Sequence, residues 1–453
     1  MHSFHFSSPS AAATRFLLVL TLAGPLSAQA DRAQATLGNG LRVLALHLPH
    51  AELVSLALVF PGGARIERPG QEGWVHLMEH MVWRGHEGTP SQAEFMARGY
   101  RIGALQHSLT EAEWLILTLT ADDDSLRPAL EYLLEVVRMP LFSPVEVDRE
   151  KQVVLQELDR LSATASFQLE NALELLLTRR RTAAVLGDPD AILNATAEQL
   201  RLLKLRQLLP NNAALVVAGP LPPDQVLDRV RLTMGSWSPG FPSEATTNAQ
   251  GNPAQAGQRD SVLVLPVRNA HWSLAWPGPG SGDGEATAAG QLLAGILTHP
   301  AGPFQRSLVT RGDVLSLEAE YRPRVDGGAL VLRLVMPLER VAAVLGAVQA
   351  ELQRLAEPVY LTPADIRNAK ASLRMRRDLA LSRPWEIALA AARAWAARGL
   401  TRGNPTGEPP DAATQQMVFE FLQSYVTGQI PVSVLVVDNA TRRNLGPNPA
   451  RLP

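Results

Sequence analysis

The chain has 453 residues, 46% of them apolar and 19% charged, with 42 Lys plus Arg against 44 Asp plus Glu. That length allows two or more domains with full cores, and the balanced charge builds no phosphate-binding field, so nucleic acid is not an expected partner. Cysteine is absent, which removes disulfides, lipid attachment and every thiolate metal site and leaves only nitrogen and oxygen ligands.

At the N-terminus Arg15 precedes an apolar run over 16–24, and Ser27-Ala28-Gln29-Ala30 closes it with small residues. A basic residue, a short apolar run and a small-x-small end predict a secretory signal over 1–30, cleaved after Ala30. The run is too short to span a bilayer, and no later stretch of about 18 apolar residues follows. A bacterial exported protein, located in the periplasm, is expected.

Beyond the signal, the pattern divides into a first half over 31–238, a Pro/Gly-rich linker over 239–258 and a second half over 259–453. Alternating strand-like segments open each half, at 41–46 and 53–60 in the first and at 261–267 and 271–276 in the second. Each half then turns helical, over 73–84 and over 285–297. The shared order predicts an α+β fold of two homologous domains, an old duplication, each a mainly antiparallel sheet packed with helices.

The helix over 73–84 is bounded by Pro69-Gly70 and Gly85, and Trp74, Val75, Leu77, Met78, Met81 and Val82 make it apolar nearly all round. That pattern predicts a buried helix. His76 and His80 lie one turn apart on one face, with Glu79 at its flank. Buried imidazoles and a buried carboxylate need partners, and a metal supplies them. His76-x-x-Glu79-His80 is the inverted form of the H-E-x-x-H zinc peptidase signature. The competing reading is a solvated helix face that carries two histidines.

Ser143-Pro144-Val145-Glu146 reads as a capping box with proline at the first helical position, so a helix starts there. On it Glu150 and Glu157 fall two turns apart on one face, with Val153 and Val154 beside them and Leu158 after. A carboxylate at each end of one stripe suits one metal ligand and one outer partner that orients a histidine. Glu150 reads equally well as the neighbour of Lys151 in a surface charge run. Two imidazoles and one carboxylate form a three-ligand zinc set with an open fourth position for water, and Glu79 can reach that position. In the second half, 286–297 contains no His and no Glu, so that half has the architecture without the metal. His86, His107, His271 and His299 are isolated and read as structural, and His2 and His5 leave with the signal.

The combination of His76, Glu79 and His80 with Glu150 and Glu157 resembles the pitrilysin/insulinase family of inverted zinc peptidases, in the two-domain, processing-peptidase-like size class. Supporting landmarks are 37–43, 63–67, 83–85 and 210–219. The resemblance implies Zn2+ bound by His76, His80 and Glu157, with Glu79 as general base and Glu150 as a supporting acid. It also implies peptides or unfolded segments as substrates.

Two departures stand out. The family's Gly-Gly-x-x-Asn-Ala substrate strand appears here as 99–107, without asparagine. The second-half Arg and Tyr that grip the substrate carbonyl are replaced by Leu308 and Leu315, or by Val309 and Ser316 if shifted by one. Tyr321 and Arg322 lie nearby, out of register. Either Tyr321 substitutes, or a related companion without the zinc motif supplies the pair in a heterodimer. The expected function is therefore a zinc metalloendopeptidase subunit completed by a partner. The alternative is a non-catalytic zinc-binding scaffold of a periplasmic complex.

Overall fold

A computed structural model describes residues 32–84, 91–138, 140–178, 183–241, 259–325, 327–355, 357, 359–381, 383–397, 412–446 and 449. The segment over 1–30 predicted as a signal, His86 and most of the expected linker lie outside the described residues. Among those described, no helix is long and apolar enough to cross a membrane.

The first sheet comprises β1 (Arg32–Thr36), β2 (Arg42–His47), β3 (Leu53–Pro61), β4 (Leu105–Thr110), β5 (Trp114–Asp122) and β6 (Ala214–Gly219), in the order β1-β2-β6-β3-β5-β4. The second comprises β7 (Asp260–Val264), β8 (Asn269–Gly278), β9 (Ser316–Arg322), β10 (Gly328–Pro337) and β11 (Val432–Val437), in the order β7-β11-β8-β10-β9. Without β1, the two orders trace the same path. Each sheet contains one parallel pair, β2 with β6 and β7 with β11, and is otherwise antiparallel. The duplicated α+β architecture expected from the sequence is present.

Six helices carry the metal-site residues, their second-half counterparts or the cover of the two sheets: α1 (Trp74–Val82), α2 (Pro144–Ser162), α3 (Ala165–Thr178), α4 (Gly284–Thr298), α5 (Pro363–Leu381) and α6 (Pro384–Ala397). α4 follows β8 as α1 follows β3. α2 and α5 both have 19 residues, and the next helices, α3 and α6, both have 14. With Pro144 laid on Pro363, Glu150 falls on Ala369 and Glu157 on Arg376. The second half has lost or never carried the carboxylates.

The inner faces of the two sheets bury separate cores, but their outer faces are covered crosswise. From the first half, α3 sends Leu169, Leu173 and Leu177 onto Ala275, Val331 and Val434 of the second sheet. From the second half, α6 sets Ala388, Ala391, Ala392 and Trp395 on Leu44, Val59, Ile116 and Val216 of the first. Three alanines on the contact face let α6 lie close to the sheet, where each buried apolar surface leaves water. Charges fringe the exchange: Arg322 bonds Glu170 and, at 3.2 Å, Glu174, while Arg333 meets Glu170 at 3.0 Å. The topologically equivalent helix has been traded in both directions, as in a domain swap made within one chain.

Candidate metal centre

α1 starts at a glycine, Gly73, whose φ of 93° lies in the left-handed region and which offers no capping side chain. Glu67 caps it from outside, accepting hydrogen bonds from Val75 N at 2.7 Å and Gly73 N at 3.1 Å. Burial pushes the Glu67 carboxyl up to about 8, against the backbone donors that pull it down. Every residue of α1 except His80 is buried, as its all-round apolar pattern predicted.

The two histidines are fixed through their Nδ1 atoms. His76 Nδ1 lies 3.1 Å from the Leu186 carbonyl, which can only accept, so this nitrogen carries the proton. The carbonyl reaches it because Gly187 passes against Gly73: a Cβ on Gly73 would stand 2.4 Å from Gly187 Cα. His80 Nδ1 lies 3.3 Å from Glu150 Oε2 and donates to it in the same way. With Nδ1 of each ring turned to its partner, the Nε2 atoms are the ones that remain to bind a metal, and they face each other at 3.3 Å.

Glu157 adds an oxygen 3.9 Å from His76 Nε2 and 3.7 Å from His80 Nε2, and the three donor atoms lie within 4.8 Å of one another. Lone pairs so placed repel unless a cation sits between them. Nitrogens about 2.0–2.1 Å from one tetrahedral zinc stand roughly 3.3 Å apart, so the histidine pair already has zinc spacing. The residues fit the ion.

α2 begins at Pro144 as expected, but the capping box does not form. Ser143 makes no side-chain cap, and Glu146 turns to the Arg149 guanidinium at 3.1 Å instead of back to the helix end. Nor is Glu150 part of a surface charge run, since it is only 2% exposed. Arg84 pairs with it at 2.8 and 2.9 Å. Burial raises its pKa, but the His80 hydrogen bond and the Arg84 charge outweigh that and hold it below the usual carboxylate range. Lys151 is also buried, reaching Asp148 at 2.9 Å and Leu193 O at 3.1 Å. Val154 and Leu158 join the core, while Glu157 keeps its side chain 32% exposed.

Glu79 points from α1 onto β4, at the sheet edge. Ser108 Oγ donates to its Oε1 at 2.6 Å and Thr110 Oγ1 to its Oε2 at 2.5 Å. Sequence reading missed both hydroxyls. Their spacing of two along a strand was the available signal.

In the second half Leu308 is buried in the core and Leu315 is 53% exposed. Tyr321 does not replace the missing tyrosine. It is 5% exposed, lies edge-on to Phe421, and donates its hydroxyl to the Pro279 carbonyl at 2.5 Å. Burial pushes its pKa up. Arg322 is held by Glu170, Glu174 and Glu320. Of the other histidines, His107 is exposed on β4, His271 is half-buried and shifted down by that burial, and His299 Nδ1 accepts from Ala301 N at 3.1 Å.

Among the described residues, the duplicated α+β chain holds one His-His-Glu group that could bind a metal, and it lies on the first half. Residues 42–186 match the family model described as insulinase (peptidase family M16), and residues 194–373 match the one described as peptidase M16 inactive domain. The chain belongs to the insulinase family of peptidases. It is 26% identical to an uncharacterised zinc protease of Mycobacterium leprae over 75% of this chain and 77% of that one. A protease from Helicobacter pylori shares the fold with a TM-score of 0.78 at 19% identity, covering 90% of this chain and 99% of that one. The periplasmic protease PqqL of Escherichia coli shares it with a TM-score of 0.71 at 17% identity, over 92% of this chain and 49% of that one.

Proposed function

We propose that the chain is the zinc-carrying subunit of an endopeptidase that cleaves peptides or unfolded segments in the periplasm. The observation that carries the reading is the pair of Nε2 atoms at 3.3 Å with a Glu157 oxygen beside them, on the helix that also carries Glu79. His76, His80 and Glu157 would hold the ion, with the Leu186 carbonyl and Glu150 fixing the two imidazoles. Zinc supplies a Lewis acid and lowers the pKa of water toward 7 when bound in such a set. Glu79 takes the proton of the attacking water and returns it to the leaving nitrogen. β4 is an edge strand whose free backbone can pair with an extended peptide. Export is supported by the signal-like segment over 1–30 and by the periplasmic location of the PqqL relative.

The test is Glu79→Gln in the zinc-loaded protein. The amide keeps the shape and cannot accept the proton, so turnover of a quenched peptide should fall about 10²–10⁴-fold with metal content unchanged. Retained peptidase activity would overturn the mechanism.

The burial of Leu308 and Tyr321 favours completion by a companion subunit, since neither offers a donor to a developing oxyanion. The same observation supports the second reading, a zinc-binding scaffold without turnover. Against it stands Glu79, a base for which a structural metal has no use.

A further inference from the structure

The inner face of β4 carries a polar row that the hydrophobic pattern does not explain. Side chains alternate along a strand, so Gln106, Ser108 and Thr110 share one face and Leu105, His107 and Leu109 the other. The partners of the polar row on β5 are Leu119, Leu117 and Leu115, all in the first core. Leu105 meanwhile stands 72% exposed. A slip of one residue would bury leucines and expose hydroxyls, yet the strand keeps the opposite register.

Two of the three polar side chains in that row bond to one carboxylate, and the third, Gln106, donates to the Tyr132 hydroxyl at 2.7 Å. Ser108 takes Oε1 of Glu79 at 2.6 Å and Thr110 takes Oε2 at 2.5 Å, both charge-assisted. A carboxylate has about four lone-pair sites, so two hydroxyls leave two for a water and its proton. Glu79 is only 7% exposed and has three rotatable bonds of its own, so without these donors nothing on β4 would aim it.

We infer that Ser108 and Thr110 are positioning residues for Glu79, an inference that rests on Glu79 serving as the general base. They clamp the carboxylate by both oxygens and tie its aim to the edge strand. A base held by one oxygen swings about that bond, whereas a base held by two cannot.

The test uses the full zinc-loaded chain, in whichever assembly turns over peptide, with Ser108→Ala, Thr110→Val, the double variant, and the hydroxyl-keeping Ser108→Thr and Thr110→Ser. Each loss of a bond to the charged group should lower kcat about tenfold, and the double loss about a hundredfold, with KM and zinc content unchanged. The hydroxyl-keeping variants should recover most of the rate. Crystal structures give a readout independent of turnover: Glu79 in one conformer in the parent, rotated or split in the double variant. They decide the matter if the chain is silent on peptides, and the single variants decide it if the double variant fails to fold. A double variant with parental kcat, or with Glu79 unmoved, overturns the inference. If Glu79→Gln is silent while the double variant is fully active, only the positioning role falls. If Glu79→Gln is active, the proposed function falls first.

Discussion

His80 Nδ1 meets Glu150 Oε2 at 3.3 Å, and the same oxygen takes a 2.9 Å hydrogen bond from Arg84. The carboxylate therefore orients an imidazole while remaining on the far side of that ring from the His76 and Glu157 donor atoms. Glu150→Gln should weaken zinc binding by about 10- to 100-fold, the usual cost of an outer partner. Glu157→Gln removes a donor from the set itself and should cost more. Chelator competition on the two purified variants checks the order, and the reverse order would exchange their roles.

Tyr321→Phe separates a core residue from an oxyanion donor. Losing the hydroxyl's bond to the Pro279 carbonyl should lower stability by about 0.5–1.5 kcal/mol, the usual net worth of one hydrogen bond, since that carbonyl keeps its 2.8 Å bond from Gly328 N. Peptidase activity should not change. A related companion bearing the Arg and Tyr should instead raise turnover by roughly 10²–10³, the worth of one such donor. Efficient cleavage by this chain alone, abolished by Tyr321→Phe, would contradict both expectations.

The crosswise helices should hold the halves together without a covalent link. With a protease site inserted between residues 241 and 259, the cut fragments should still co-elute on size exclusion and separate only in denaturant. Ala392→Asp would place an unpaired charge against the first sheet, where Ala392 is fully buried. It should cost on the order of 3 kcal/mol. Fragments that separate in native buffer would show that the exchange contributes little.

Glu67 supplies a pH dependence of defined sign. Its carboxyl lies at about 8 in the folded chain against an ordinary 4.5. Below about pH 4.5 it is protonated in both states. As pH rises, the unfolded chain ionises first, so stability falls until pH passes about 8 and then levels off. The metal-free protein should therefore lose melting temperature between those limits more steeply than its Glu67→Gln variant. Parallel slopes for parent and variant would refute the assignment.

What could be read in the sequence was what local periodicity records. The four-residue spacing of His76 and His80, the two-turn spacing of Glu150 and Glu157, and the opening strands of both halves follow from helix and strand repeats alone. The Leu186 carbonyl lies 110 residues from His76, and no repeat announces it. Ser143 to Glu146 had the letters of a capping box, but Arg149 competes for Glu146. β4 was harder still, because its leucines face outward and its hydroxyls inward, against the usual sense of burial. The helix trade was invisible for a different reason: an apolar stripe such as Leu169, Leu173 and Leu177 says that a helix is covered, not which sheet covers it.

That trade also sets an order of events during synthesis. The strands of the first sheet are complete when Gly219 has been made, but the helix that shields their outer face is the stretch Pro384–Ala397. Until then Leu44, Val59, Ile116 and Val216 present a bare apolar wall to solvent. The first half cannot mature ahead of the second, as an N-terminal domain ordinarily does. A nascent chain stalled anywhere before the final helices would be a target for chaperones and proteases, and the half that carries His76, His80 and Glu157 would become durable only once the other half had been made.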